Sequence, residues 1–303
     1  IEGNKKEFSG TGGIGLLSSR ALFEGPIVKD KMSFMVAGRR SYADLFLGMF
    51  DDPRINQNTL YFYDLNTKIN WILDEDNKLF LSGYFGRDVF GIDNFFDFDW
   101  GNTTLTLRWN HLFSKQTFSN FTFVFSDYTY SLGTPEEEEF SFRLNSTIQD
   151  YHLKSQFNYY PDDKNKFDFG VEAIYYRFQP GTVNGTVFLE LQREYALEPA
   201  AYFSHEIQFS PLFTMRYGLR YSSFYNFGYR TVYEYENPQL PTTEGLIDST
   251  EYQRGDVIAA YSGLEGLEPR LSLNYRLSDE KSIKASYNRT RQYIHLISNI
   301  TTP

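Results

Sequence analysis

The feature that most constrains the fold of this chain is a one-by-one alternation of apolar and polar residues. In the first long run the odd positions are Tyr61, Tyr63, Leu65, Thr67, Ile69, Trp71 and Leu73, and the even positions are mostly polar. The runs 167–175, 213–221 and 271–277 repeat the pattern. A period of two is that of a β-strand with one apolar and one polar face, whereas a helix needs spacings of three and four. The sequence therefore predicts long amphipathic strands.

Twelve strands are predicted from the alternation and from the polar breaks between runs. Their ranges are 17–24, 32–40, 60–73, 78–89, 100–112, 117–130, 141–160, 166–178, 194–209, 213–224, 267–277 and 282–292. Residues 5–14 add a thirteenth candidate, which ends at the flexible pair Gly12 and Gly13. The first long run is about twice the usual strand length of roughly 5–6 residues.

The connections between these strands are short and long in strict alternation. The short polar turns are 29–31, 74–77, 114–116, 161–165, 210–212 and 278–281, and the longer connections are 41–59, 90–99, 131–140, 179–193 and 225–266. An up-and-down barrel with all its short turns at one end produces this order. In a soluble β-sandwich, short and long connections are not expected to alternate strictly along the chain.

The composition supports a barrel wall in a membrane. The chain has 303 residues with 29 Phe and 24 Tyr, yet its mean hydropathy is −0.47. A barrel strand exposes alternate residues to lipid and the others to a polar interior. No stretch approaches the roughly 18–20 apolar residues of a membrane helix. The expected fold class is all-β: a partial, antiparallel, up-and-down transmembrane β-barrel of about 12–13 strands.

Large aromatic residues gather beside the short turns. Rings at one level suit the membrane interface, where amphipathic aromatics concentrate. The predicted interface aromatics are Trp71, Trp109, Tyr159, Tyr160, Phe167 and Phe213.

Several kinds of chemistry find no support in the sequence. Cysteine is absent, so a disulfide scaffold and a Cys-based metal site are excluded. The net charge of −10 argues against nucleic acid, which needs a basic surface. His111, His152, His205 and His295 are far apart and lack metal-ligand spacing, although His111 shares the register of Trp109 and is expected at the interface. No phosphate loop or nucleophile motif occurs in a suitable context, so no cofactor, metal or enzymatic activity is expected.

The longest predicted loop, 225–266, is the best candidate for ligand contact. Its aromatic rings could stack on sugars or flat chelates, and its acids could attract cations. An ordinary solvated loop is an equally good interpretation. The candidate ligand-binding residues are Tyr225, Tyr229, Arg230, Tyr233, Tyr235 and Tyr252.

Several segments resemble the barrels of TonB-dependent outer-membrane receptors of the Bacteroidetes type. The most specific is Glu24-Gly25-Pro26-Ile27 with the following turn 29–31, which is similar to the first inner turn of that family. Similar segments are 2–8, 12–20, 33–42, 108–113, 218–222, 268–270 and 286–289.

The resemblance implies active import of a nutrient across the bacterial outer membrane: a siderophore, vitamin, oligosaccharide or peptide. Its implied partners are outer-membrane lipid, the nutrient, and the TonB–ExbB–ExbD energy-coupling system, which acts through a plug domain. The sequence contains neither a plug nor the closing aromatic strand of such barrels, which have 22 strands. Residues 1–303 are therefore expected to be the N-terminal portion of the barrel, unable to insert stably alone because open sheet edges are not tolerated in lipid.

Two other functions stay open at this point. A passive porin-like channel of about twelve strands would be complete as it stands, although the receptor-like first turn argues against it. A structural or adhesive β protein would lack an apolar outer band. The predicted strands have an apolar outward face in either of the two membrane proteins, and a polar outward face in the structural or adhesive protein.

Overall fold

In the computed structural model, the structure describes residues 2–92, 95–134, 141–185, 188–236 and 244–294. Within these residues, thirteen strands follow one another in a single antiparallel sheet. The strands of this path are β1 (Ser9–Ile14), β2 (Ser18–Val28), β3 (Met32–Ser41), β4 (Thr59–Ile72), β5 (Asn77–Ile92), β6 (Phe96–Ser114), β7 (Thr117–Gly133), β8 (Phe142–Asp162), β9 (Asn165–Gly185), β11 (Glu194–Ser210), β12 (Phe213–Ser222), β17 (Leu267–Arg276) and β18 (Ser282–Asn288).

Short helices and strands lie at the end of the sheet opposite the short turns. Helices α1 (Ala43–Leu47) and α2 (Pro53–Asn56) lie between β3 and β4, and β10 (Leu189–Glu190) pairs with β9. Strands β13 (Phe224–Phe227) and β16 (Val257–Tyr261) extend the sheet next to β11. Strands β14 (Arg230–Tyr235) and β15 (Leu246–Tyr252) form a separate hairpin, and a 3-10 turn, Leu264–Gly266, precedes β17. Among the described residues, no helix reaches the length and apolar character of a membrane span.

The predicted all-β architecture is confirmed, and the short turns lie where they were expected. The predicted long connections are partly wrong. Residues 90–92 belong to β5 and residues 96–99 to β6, residues 179–185 extend β9, and the described part of 225–266 contains four short strands. The strands rise further than the alternation indicated, because their upper parts carry polar residues on both faces.

The sheet is open within the described residues. Strand β1 pairs with β2 and β18 pairs with β17, but β1 and β18 do not pair with each other. Among the residues whose burial is described, the pattern is inverted relative to a soluble globule: the buried hydrophobic residues are Ala196, Ala200 and Phe224, whereas twelve polar or charged residues are buried. A single curved wall that faces lipid on one side produces this inversion, and it matches the predicted partial barrel.

Side chains of Asp or Ser close five of the six short turns. In the turn before β5, Asp74 accepts hydrogen bonds from the Asp76 backbone N–H and from the Asn77 amide, at 2.9 and 2.8 Å. Asp162 and Asn165 repeat this arrangement before β9. A serine takes the same place in other turns; Ser210, for example, accepts from two backbone N–H groups at 3.2 and 3.1 Å. Such Asx and ST turns preset the reversal of the chain.

Candidate functional site

One face of the wall is an apolar band that begins at the short turns. On β8 the band comprises the outward positions from Tyr159 to Tyr151, and on β9 it runs from Phe167 to Tyr175. Leu153 and Val171 lie in its middle and are 60% and 57% exposed. Nine residues of a strand tilted by about 40° span roughly 20 Å, close to the roughly 25 Å apolar band of membrane barrels. The outward residues are therefore apolar, as a membrane wall requires.

Five of the six predicted interface aromatics lie on this face at the turn end. Trp109 stacks on Phe121 with ring centroids 5.2 Å apart, and the centroids of Tyr159 and Phe167 are 6.0 Å apart. Trp71 and Phe213 occupy equivalent outward positions on β4 and β12.

Tyr160 lies on the polar face instead. It follows Tyr159 directly, so its side chain points to the opposite side of the strand. Its ring stacks on Phe118 at 5.9 Å, and the Lys166 ammonium lies 5.7 Å from the ring centroid.

A second row of aromatics, not identified from the sequence, borders the band at the loop end. Phe125, Tyr151, Tyr175 and Tyr195 sit on consecutive strands of the sheet, with successive ring centroids 5.2, 6.4 and 6.4 Å apart. Their shared outward register, about eight residues from the first girdle, was the signal that could have revealed them. We call these four residues the loop-end girdle.

Polar residues replace apolar ones on the outward face directly above the loop-end girdle. Gln149 donates to an Asp127 carboxylate oxygen at 2.9 Å, and Arg177 follows on the next strand. On the neighbouring part of the wall Arg87 forms an ion pair with Asp99. The apolar band thus has a defined upper limit, beyond which both faces of the wall are polar.

Two histidines lie on the outward face near the turns, hydrogen-bonded to the turn asparagines. His111 Nδ1 is 2.8 Å from Asn77 Oδ1, in line with its expected interfacial register. His205 Nε2 is 2.9 Å from Asn165 Oδ1, and its ring stacks on Phe167 at 4.1 Å. His152 lies on the polar face, and His295 lies outside the described residues. Within the described ranges, no group of three His, Asp or Glu residues could hold a metal ion.

The polar face carries a cluster of charges centred on Arg220 of β12. Its guanidinium forms an ion pair with Glu172, its Nε lies 3.4 Å from Glu268 Oε1, and its Nη2 lies 4.0 Å from Glu198 Oε1. We call these four residues the Arg220 cluster. Their side chains are 3–19% exposed, so the charges are substantially removed from bulk water.

Further groups complete the Arg220 cluster. His152 Nε2 and Lys154 Nζ lie 3.3 and 3.7 Å from Glu172 Oε2. Glu268 accepts a hydrogen bond from Ser222 Oγ at 2.8 Å and pairs with Arg270 at 3.5 Å. Such networks stabilise charges that would be costly if left alone away from water.

The Arg220 cluster borders a recess of about 570 Å³ on the polar face. A second ion pair contributes to its wall, since Arg216 lies 3.0 Å from Asp168. Tyr202 spreads its ring across Gly170 in the same recess, with Lys154 Nζ 5.6 Å from the ring centroid. This concave surface offers cationic hydrogen-bond donors and anionic acceptors to anything that passes along the polar face.

The six predicted ligand-binding residues are spread over two substructures. Tyr225 belongs to β13 in the main sheet, whereas Arg230, Tyr233, Tyr235 and Tyr252 belong to the β14–β15 hairpin. The rings of Tyr233 and Tyr235 lie 6.5 Å apart on one face of the hairpin.

Arg230 has a structural role in the hairpin. It forms an ion pair with Glu194 of β11 and thereby attaches the hairpin to the wall. Tyr229 lies just before the hairpin and is 65% exposed, and Tyr233 is 53% exposed. The hairpin therefore presents rings that are accessible to a ligand, whereas Arg230 and Tyr225 are engaged within the fold.

Comparison with known proteins gives structural matches only. No protein-family profile matches the chain, and no curated protein matches it by sequence. The ferric-catecholate import receptor Fiu from E. coli K12 matches with a TM-score of 0.64 and 11% identity over 96% of this chain. The alcaligin outer membrane receptor FauA from Bordetella pertussis matches with a TM-score of 0.62 and 13% identity over 94%. The FrpB iron transporter from Neisseria meningitidis gives 0.63 and 13% over 94%.

The chain spans about half the length of the solved structures it matches. It covers 55%, 44% and 46% of the three receptors, respectively. Their names describe an import receptor, an outer membrane receptor and an iron transporter. At this identity the likeness concerns the fold, which is that of part of the barrel in these receptors and transporters.

Proposed function

We propose that the chain forms the N-terminal portion, residues 1–303, of the barrel of an outer-membrane receptor that imports a nutrient. The observation that carries this proposal is the two-faced wall: an apolar band with aromatic girdles outside and the Arg220 cluster inside. The matched import receptors share the fold of this wall. In line with the sequence resemblance, the receptor is of the Bacteroidetes type and is energised through TonB and its ExbB–ExbD partners.

The Arg220 cluster would face the transport path or the plug that blocks it. A receptor must hold its plug through contacts that can rearrange, and ion pairs with mixed charge suit a reversible polar interface. The recess beside the cluster, with Arg216, Lys154 and Tyr202, offers such contacts.

The exposed rings of the hairpin are the proposed first contact for the nutrient. In the full-length receptor we expect Tyr233→Ala with Tyr235→Ala to weaken nutrient binding by about tenfold, since each lost aromatic stack contributes roughly 0.5–1.5 kcal/mol. Tyr261→Ala is the matched control, because Tyr261 is 56% exposed on β16 but lies off the hairpin. Equal effects of the two changes would contradict a ligand contact at Tyr233 and Tyr235.

Energised uptake is tested with the full-length receptor in a Gram-negative host that has or lacks a functional TonB protein. Cells are supplied with labelled ferric chelates, corrinoids, oligosaccharides or peptides, and accumulation against a gradient is measured. TonB-dependent accumulation of one class supports the proposal and identifies the substrate.

Two outcomes would support the alternatives instead. TonB-independent equilibration of small solutes, together with steady conductance in planar bilayers, would indicate a passive channel. A properly inserted protein that transports nothing and conducts nothing would indicate a structural or adhesive role.

A further inference from the structure

A small notch opens on the outward face of the wall, directly above the loop-end girdle. It has a volume of about 220 Å³. It belongs to the outward face because Gln149, Arg177 and Tyr195 pair side by side across β8, β9 and β11 in the register of the apolar band. The residues of this outer notch are Thr147, Gln149, Arg177, Phe178, Gln179, Arg193 and Tyr195.

The outer notch carries positive charge that is not neutralised by a described carboxylate. Arg193 donates from Nε to Gln179 Oε1 at 2.7 Å, which orients the guanidinium and leaves its terminal N–H groups available. No carboxylate among the described side chains lies within ion-pair distance of Arg177 or Arg193.

Two other arginines of the outward face, one of them further up the wall, are paired with carboxylates. Arg87 pairs with Asp99, and Arg143 lies 2.8 Å from Asp97. The acid that follows Arg177 along the row is Asp127, two strands away and hence roughly 9–10 Å distant, and it already accepts from Gln149. The outer notch is therefore a local excess of positive charge on the outward face.

The location defines which anion the notch can receive. Tyr175 and Tyr195 lie at the upper edge of the apolar band, where barrel aromatics meet the head groups of a membrane. A group directly above them is at phosphate level. Guanidinium groups bind phosphate through two parallel hydrogen bonds, and basic pockets on membrane proteins recognise lipid head groups.

We propose that the outer notch binds the phosphate of a membrane lipid in the leaflet that surrounds the loop end of the wall. Arg177 and Arg193 supply the charge, Gln149 adds a polar contact, and the rings of Tyr175 and Tyr195 pack against the upper part of the lipid chains. The inference rests on the membrane orientation of the wall and is independent of nutrient uptake.

The test uses the full-length receptor, purified in a neutral detergent and stripped of lipid. Phosphatidylglycerol and lipid A are titrated in mixed micelles, and native mass spectrometry counts the lipids that each protein retains. Inorganic phosphate is added as a competitor. The variants are Arg177→Gln with Arg193→Gln, Arg193→Gln alone, and the control Arg87→Gln, whose arginine has the same height and face but is already paired with Asp99. Arg193 is exposed, so its single replacement leaves the fold intact.

We expect the wild type to retain one of the two phosphorylated lipids and the double variant to bind it about thirtyfold more weakly, since two surface cations together contribute roughly 2 kcal/mol to anionic lipid binding. The single variant should lie between them, and Arg87→Gln should match the wild type. Equal retention by all proteins, or equal loss in the control, would overturn the site. Displacement by millimolar inorganic phosphate would overturn the lipid assignment.

Discussion

Arg220 shows how a single side chain can maintain a buried polar face. Three carboxylates, Glu172, Glu198 and Glu268, surround its guanidinium, and Glu268 is only 3% exposed. Removing one member of a shielded ion pair leaves charge without compensation, which costs more than the pair contributes when intact.

We expect Arg220→Met to destabilise the full-length receptor by about 3 kcal/mol. The measurement is the temperature at which the detergent-purified protein loses its compact electrophoretic form. The control is Arg39→Met: Arg39 pairs with Asp64 on the same sheet but is 55% exposed, so its loss should cost less than about 1 kcal/mol. Similar losses of stability in both variants would show that Arg220 contributes no more to stability than an exposed ion pair does.

Gly170 is required by close packing on the polar face of β9. A Cβ at this position would lie 2.3 Å from the Ser155 carbonyl oxygen and 2.7 Å from the Tyr202 hydroxyl. The first contact is with backbone and cannot move away easily. Gly170→Ala should therefore lower the thermal midpoint, with a cost of about 1–3 kcal/mol from overpacking. Gly12→Ala is the control, because its Cβ would approach nothing closer than 3.8 Å; an equal effect there would rule out the packing explanation.

The turns are the elements that the sequence reveals best. Asp74 and Asp162 lie outside the membrane-spanning segments, and hydrogen bonds from the Asn77 and Asn165 amides lower the pKa of each carboxyl below its ordinary value of 3.8. Because the folded pKa is lower than the unfolded pKa, the unfolded chain takes up protons first as the pH falls. The stabilisation is complete above about pH 4 and disappears as the pH falls through the folded pKa.

We therefore expect Asp74→Ala with Asp162→Ala to lower the thermal midpoint of the full-length receptor at pH 7, with the difference from wild type shrinking below pH 3.8. Ser210→Ala removes the equivalent cap from another turn, but a hydroxyl does not titrate in this range. Its effect should be independent of pH. A difference that stayed constant for the aspartate variants would contradict the role of the ionised carboxylates.

The strand elements could be predicted only where lipid imposes alternation. From Phe167 to Tyr175 every second residue meets the apolar environment, so the period of two is clear. Above that height Arg177 and Gln179 face outward into a polar environment, and alternation no longer distinguishes a strand from a loop. For this reason the predictions ended β9 at 178, although the strand continues to Gly185.

The candidate site could be predicted in part for a related reason. Aromatic richness identified the connection 225–266, but no local pattern indicates that Arg230 pairs with Glu194 36 residues away. The Arg220 cluster was likewise not recognised, because its members come from four strands and meet only through sheet register.

At the scale of the whole molecule, the orientation of the wall makes a clear prediction. Leu153 lies mid-band on the outward face and is 60% exposed, so Leu153→Arg should destabilise the membrane-inserted receptor by about 2–4 kcal/mol. Gln156→Arg on the polar face of the same strand should have a much smaller effect. The readout is the yield of folded protein after insertion into lipid vesicles. If both variants insert equally well, the apolar band does not face lipid.

The wall is roughly twice as high as its apolar band. Glu172, on the polar face, lies at the height of the band, whereas β9 continues above the band from Tyr176 to Gly185, a rise of roughly 25 Å. At physiological salt, charges are screened over about 8 Å. The Arg220 cluster therefore exerts no appreciable electrostatic force on a molecule that is still outside the wall. The speed of capture should then follow the charges of the upper wall and the hairpin. The charges of the cluster act only on what has already entered.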